Sequence, residues 1–416
     1  MPIHPDILSR AVKNTLSRTA ELIDLYGPRL AGSKSCEQAA KDICADFTRV
    51  CGNASLEPFQ THPGAFMNFY KINTVIFLCG LAAIYLNLAW LAVISFTFIL
   101  VGGFLEFGAY REFYDFLYPI KGCQNVTARL EPRGEVQQQL IISGHHDSAQ
   151  ILNLLSKQQK LYGLKIVVPD IVFFTALIFS LYWLFSSLVY GILPVFFISG
   201  KLFLSLGFFL ILPKFFTASP QGTPGAGDNL VASMMLVEVA RALVTLEPGQ
   251  PGKSSLDHTR LILVSFDAEE SGLRGSRAFV KQHLRQLQSM PTYMLNIDSI
   301  YTARHLQFLI SDLNGSLPLS KELAEECQAL AGDAGLPSRL TCMVFGGGST
   351  DAAELTRAGV QATTMLAMPT DLVRDGLVYH TVNDTVDAIE PEAVRACLEV
   401  AFRLVEKLDH NSLFYI

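Results

Sequence analysis

Two stretches of this chain abandon the alternation of apolar and polar positions that elsewhere marks surface helices and strands. From Ile72 to Leu105 about 34 residues pass without a charged side chain, well beyond the roughly 20 that one bilayer crossing needs. A helical hairpin turning near Leu86-Asn87-Leu88 accounts for this run if its arms extend to Ala65 and Tyr110, with Lys71 and Glu106 at the interface. A second apolar block runs from Ile171 to Leu212, interrupted by Gly191, Pro194 and the lone Lys201, and also suits a pair of spans. The soluble alternatives are core helices, a hydrophobic lid or a dimer interface, but two apolar runs of this length are rare in soluble folds.

The remainder patterns as an α/β domain. Strand-like runs occupy Gln138 to Ser143, Arg260 to Phe266, Tyr293 to Ile297, Leu306 to Ile310 and Gln361 to Leu366. Helical periodicity covers about Ser9 to Val50, broken at Gly27-Pro28, then Asn229 to Leu246, Ser276 to Leu287, Leu319 to Ala331 and Pro391 to Leu408. Strands alternating with helices predict a mainly parallel, mixed sheet covered on both faces. Residues 1–64, 111–165 and 217–416 are then one domain, into which 65–110 and 166–216 are inserted as two apolar helical hairpins.

If one sheet contains the strands on either side of each block, each block crosses the membrane an even number of times, giving four spans. Lys71, Arg111, Lys121, Lys157, Lys160, Lys165 and Lys214 flank the blocks on the domain side. The positive-inside rule therefore predicts a cytoplasmic domain. The first residues lack a basic stretch followed by an apolar one, so no secretory signal is expected.

Composition agrees with a lipid partner: half the residues are hydrophobic, 17% are charged, and 28 are Phe. Net charge is −6 and the basic residues do not cluster, so nucleic acid is excluded as a partner. The eight cysteines lack CxxC spacing and read as free thiols in a reducing compartment.

Candidate chemistry collects where strands end. Asp267-Ala-Glu-Glu-Ser271 follows the run Leu261 to Phe266, which puts Glu269 and Glu270 side by side at the end of a buried strand. That is costly unless a cation waits there, and the pair can divide its work, one binding metal and the other moving a proton. The strand before Gly144-His-His-Asp-Ser148 ends in imidazoles and a carboxylate. His145 suits a metal and Asp147 its support, although an ordinary polar cluster has the same composition. Asp228, before a helix, is either an N-cap or a carboxylate bridging two cations. Asp298 closes another strand and His380 lies in a polar loop, where a solvated terminus and a surface turn are the plain alternatives. Together His145, Asp228, Glu270, Asp298 and His380 offer two imidazoles and three carboxylates, which match the ligand preference of zinc. A shared aspartate is how two such ions come within about 3.5–4 Å.

With these pieces in order, the chain resembles the di-zinc aminopeptidase family that also includes glutamate carboxypeptidases and glutaminyl cyclases. The resemblance rests on Tyr26-Gly-Pro-Arg-Leu-Ala-Gly-Ser33, Asn125-Val-Thr, Gly144 to Ser148, Pro224 to Asn229, Asp267 to Ser276, Asn296-Ile-Asp298 and Tyr379-His-Thr to Asp384-Thr385. It implies two zinc ions, one held by His145 and Glu270 and the other by Asp298 and His380, with Asp228 bridging. It further implies Glu269 as general base, Asp147 in support, and Tyr379 as hydrogen-bond donor to the oxyanion. The expected activity is removal of N-terminal residues from peptides by a membrane-anchored enzyme. Another zinc exopeptidase, amidohydrolase or glutaminyl-cyclase reaction is the alternative, and a non-catalytic receptor or scaffold is a second. Two departures stand out. Gly227 replaces the polar or acidic residue that many relatives have there, and about 70 residues separate Ser148 from Thr223 where relatives have a short loop. That insertion leaves a metal-bearing strand end, so it is expected to anchor the protein and hold the site close to the bilayer.

Overall fold

The computed structural model describes residues 4–193, 195–245, 253–369 and 377–410, so Pro194 and Leu246 lie outside the described residues. A nine-stranded mixed sheet organises the α/β part. Its strands are β1 (Ser55–Thr61), β2 (Lys121–Leu130), β3 (Gln138–His145), β4 (Thr259–Phe266), β5 (Thr292–Ile300), β6 (Leu306–Asp312), β7 (Leu317–Pro318), β8 (Arg339–Cys342) and β9 (Gln361–Ala367). They are ordered β1-β2-β4-β3-β5-β9-β6-β7, with β8 beside β6. The central strands β4, β3, β5 and β9 are parallel, while β1, β2, β6 and β7 add antiparallel pairings at the flanks.

Successive side chains of a strand point to opposite faces, and both faces of the central strands are covered. Leu140 and Ile142 of β3 join one core with Leu22, Ile43, Phe47, Met235, Val394 and Leu404, from helices Pro5–Tyr26, Lys34–Cys51, Val231–Leu243 and Pro391–His410. Ile141 joins the opposite core, with Phe279 of helix Arg274–Leu287 and Leu355 of helix Ala352–Arg357. Continuous burial along β3, β4 and β5 explains why these strands read as unbroken apolar runs.

Both apolar blocks are helical. Helices Ala65–Tyr85 and Ala89–Gly108, of 21 and 20 residues, form the first hairpin, and Asn87 at the turn adopts φ 59°. Asn153–Tyr190 and Phe197–Phe215, of 38 and 19 residues, form the second; all four are long and apolar enough to cross a membrane. Their inner faces meet through Phe77, Phe96, Phe173, Trp183, Leu204 and Ile211. Close approach depends on glycine: a Cβ on Gly200 would lie 2.1 Å from the Phe179 ring, and one on Gly207 2.8 Å from Val172. Their outer faces are also apolar, with Leu188 77% and Ile198 75% exposed. Glu106 departs from its expected interfacial place. It is buried, accepts a hydrogen bond from the Tyr114 amide and pairs with Arg274 at 3.5 Å.

Candidate active site

Parallel pairing brings three sequence-distant strand ends together. His145 stands opposite Phe266 across β3 and β4, and Ser143 opposite Asn296 across β3 and β5. The residues that follow, Asp147, Glu269, Glu270 and Asp298, therefore converge at the carboxyl edge of the sheet, where open α/β folds bind ligands. Asp228 enters from the irregular turn before helix Val231–Leu243, with φ −123° and ψ 84°, and its side chain does not cap that helix. Asp384 holds this turn, accepting from the Gly227 amide at 2.8 Å and the Asp228 amide at 3.3 Å. His380 follows in the loop after β9 at φ 55°, its ring stacked 3.9 Å from that of Tyr379.

The ligating atoms face one another without bonding. His380 Nε2 lies 3.1 Å from Asp228 Oδ2 and 3.2 Å from Glu270 Oε1. His145 Nε2 lies 3.4 Å from Asp228 Oδ1 and 3.8 Å from Glu269 Oε2. His145 Nε2, His380 Nε2, Asp228 Oδ2 and Glu270 Oε1 are buried and make no hydrogen bond. His145, Asp228 and Glu270 place ligand atoms within 4.8 Å of one another. Such a set of unsatisfied buried donors and acceptors fits cations, because native interiors otherwise pair their polar groups.

The electrostatics point the same way. Burial, with Asp228 alongside, raises Glu270 to about 7 against the pull of His380. Burial and Asp228 also raise Asp298 to about 7, with His145 opposing. Burial would lower His380, yet Glu270 and Asp228 lift it to about 10. Burial raises Glu269 well above the carboxylate range, with Asp351 and Glu270 adding to it. The cluster thus holds protons where cations fit.

Asp147 binds the pieces together. Its Oδ1 accepts from the Glu269 amide at 3.1 Å and stands 3.3 Å from His145 Nδ1, and its Oδ2 accepts from the Glu270 amide at 3.2 Å. Beneath it lies Arg29, fully buried, which donates to the carbonyls of His146, Gly27, Pro224 and Gly225 at 2.8–2.9 Å. One guanidinium so staples the His145 loop to the Asp228 loop. Gly227 also finds its reason here: a Cβ there would lie 2.3 Å from the ring of Tyr301, which fills the space a larger residue needs.

Three residues escaped the sequence reading. Asp351 is fully buried with neither carboxylate oxygen hydrogen-bonded, and burial raises it well above its ordinary range, with Asp298 and Asp147 adding to it. Its place before helix Ala352–Arg357 reads as a simple helix start. Tyr110, at φ 54° just after the first hairpin, packs on Phe66 with ring centroids 5.0 Å apart, and burial raises its hydroxyl well above its ordinary range, with Glu269 adding to it. Arg29 sat inside the quoted Tyr26 to Ser33 motif but carried no assignment.

No curated protein matches the sequence. A family model, that of peptidase family M28, matches residues 213–405. Just under half of the chain is thus similar to an M28 peptidase domain. The M28 match contains Asp228, Glu269, Glu270, Asp298 and His380, while His145 and Asp147 precede it. Solved structures share the fold across nearly the whole chain. A zinc aminopeptidase of Bacillus subtilis is similar with TM-score 0.53 at 14% identity, over 95% of this chain and 94% of that one. A glutaminyl cyclase of Fimbriiglobus ruber is similar with TM-score 0.54 at 14% identity, over 98% and 96%. The LapA aminopeptidase of Legionella pneumophila is similar with TM-score 0.52 at 12% identity, over 99% and 76%. The M28 match and the shared fold together support a zinc metallopeptidase, and the donor set fits a pair of zinc ions.

Proposed function

We propose that this protein is a membrane-anchored aminopeptidase that releases N-terminal residues from peptides at a di-zinc centre. The observation that carries the reading is the unbonded cluster of His145, Asp228, Glu270 and His380, with Glu269 left free beside it. His145, Glu270, Asp298 and His380 hold the two ions between them. Glu270 shares with His145 and Asp228 a set of ligand atoms within 4.8 Å, and its Oε1 also lies 3.2 Å from His380 Nε2. Asp228, with one oxygen toward each histidine, bridges.

When bound there, a zinc pair acidifies a water molecule and polarises the scissile carbonyl. Glu269 accepts the water proton on its carboxylate as the carbonyl is attacked, then delivers it to the departing amine. Asp147 fixes where that carboxylate stands, since it holds the amides of both glutamates. Tyr379 donates a hydrogen bond from its hydroxyl to the developing oxyanion.

The four apolar helices support the anchored reading, because they are apolar on their outward faces as well as within the bundle. Tyr379, Met67 of the first hairpin and Tyr162 of the second all pack against one cluster of Leu152, Leu155 and Ala218. Both hairpins therefore rise from the rim of the site, which favours substrates presenting a slender, extended terminus. The basic residues flanking the helices favour a cytoplasmic domain.

Cyclisation of N-terminal glutamine is the second reading, favoured by the similarity to the Fimbriiglobus ruber enzyme. The purified full-length protein in detergent separates the two. Release of the aniline from aminoacyl anilides with a free amino terminus, with no turnover of N-acetylated or C-terminal substrates, is the expected result. Conversion of glutaminyl peptides to the cyclic product without anilide hydrolysis replaces the peptidase reading with the cyclase one.

A further inference from the structure

Behind the catalytic cluster lies a second group of metal-binding side chains that the proposed reaction does not use. Cys36 comes from the first turn of helix Lys34–Cys51, Cys123 from β2, His146 from just after β3 and Asp267 from just after β4. Ligand atoms of Cys36, His146 and Asp267 lie within 4.8 Å of one another, and all three residues are buried. Cys36 Sγ is 3.3 Å from Asp267 Oδ1, and the buried Cys123 thiol faces the same carboxylate. The decisive detail is His146. It is fully buried, its Nδ1 lies 2.9 Å from Ser265 Oγ, and its Nε2 has no hydrogen-bond partner. An unpartnered imidazole nitrogen beside a thiol and a carboxylate, with a second thiol against that carboxylate, is an arrangement that native interiors avoid unless a ligand completes it.

We propose that Cys36, Cys123, His146 and Asp267 bind a structural zinc ion, separate from the catalytic pair. Two sulfurs, one imidazole and one carboxylate form a closed four-ligand set of the kind zinc takes in structural sites. Binding displaces the two thiol protons, so the ion with two thiolates and one carboxylate carries a single negative charge. The neighbouring Arg29 guanidinium, whose own acidity responds to Cys36, balances it. Supporting bonds are in place: Ser265 holds the far nitrogen of His146, and the Gln124 amide donates to Asp267 Oδ2 at 2.8 Å. A surface cavity of about 770 Å³, lined by Gly32, Lys34, Cys123, Gln124 and Asp267, supplies an entry path.

The ligands arise from four separate elements, which is why no CxxC spacing announces them. The position gives the ion a purpose. His146 lies between His145 and Asp147, and Asp267 lies two residues before Glu269. An ion here pins helix Lys34–Cys51 and β2 to the roots of both catalytic loops, and it does so whatever reaction the site performs.

The test uses full-length protein in detergent, reconstituted with Co²⁺. Thiolate ligation produces a near-ultraviolet sulfur-to-cobalt charge-transfer band, which the nitrogen and oxygen ligands of the catalytic cluster cannot give. The band is expected in the wild type and is expected to vanish in Cys36→Ala and in Cys123→Ala, each holding one metal ion fewer per chain by elemental analysis. Maleimide labelling with peptide mapping of the wild type does not depend on the variants folding: Cys36 and Cys123 are expected to react only after chelation. Absence of the band in the wild type, labelling indifferent to chelation, or a Cys36–Cys123 disulfide in protein purified without reductant would overturn the proposal.

Discussion

Replacing Arg29 by methionine tests whether one buried guanidinium positions both metal-bearing loops. Methionine keeps much of the stem volume and removes every donor. Four backbone carbonyls, those of Gly27, His146, Pro224 and Gly225, then lose a charge-assisted hydrogen bond inside the protein. Each orphaned buried group costs about 1–3 kcal/mol. Part of this is offset because the guanidinium no longer has to be desolvated, a burden visible in its acidity, which burial shifts down to about 10. A net loss of about 4 kcal/mol is expected, a large fraction of the roughly 5–15 kcal/mol that stabilises a typical domain. Denaturant unfolding of the detergent-solubilised protein reads the loss, and elemental analysis of the same samples reads zinc retention. Arg29→Lys, which keeps the charge on a single ammonium without the planar fork, is expected to recover only part of both. If Arg29→Met unfolds within about 1 kcal/mol of the wild type and keeps its full zinc content, the stapling role is wrong.

Zinc removal should couple stability to pH. In the metal-free protein Glu270 and Asp298, at about 7, and His380, at about 10, all bind protons more tightly than in the unfolded chain. Stability without metal therefore falls as pH rises from 6 toward 9, since over that range the folded state keeps protons that the unfolded chain gives up. Zinc replaces those protons, so the rise in melting temperature on adding zinc should grow over that range; a rise independent of pH contradicts the assignment. Gly227→Ala forces a methyl group to within 2.3 Å of the Tyr301 ring and should cost about 1–3 kcal/mol, partly restored by Tyr301→Leu. Unfolding curves of the single and double variants check this, and an unchanged Gly227→Ala midpoint refutes it.

The parallel centre of the sheet was legible because β3, β4, β5 and β9 are buried on both faces and so form unbroken apolar runs. The flanks were not. β1 carries Pro58 and alternates exposed with buried positions at the sheet edge, and β2 begins with the polar run Lys121-Gly-Cys-Gln-Asn125, so neither announces a strand. Both find their place only through pairing with residues far away in sequence. At the site, strand ends and carboxylate spacing pointed to the ligands, but which carboxylate meets which histidine depends on how loops fold over the strands. The contact between Glu270 and His380 has no sequence signature. The same holds for Tyr110, buried against Phe66 by an apolar hairpin, and for Cys36, Cys123, His146 and Asp267, which share no spacing. Glu106 is a different case. Its position suggested snorkelling to an interface, yet Arg274, at the start of the helix that follows the Glu270 loop, draws it inward and ties that hairpin to the catalytic loop.

The central claim is that Glu269 moves the proton in a zinc-dependent hydrolysis while Glu270 holds metal. Turnover of an aminoacyl anilide by the wild type and by Glu269→Gln, each at measured zinc content, tests it most directly. A fall in kcat of roughly 10²–10⁴-fold with zinc content unchanged is the predicted result. A fall of less than about tenfold, or a loss of activity that only tracks a loss of zinc, would contradict the account.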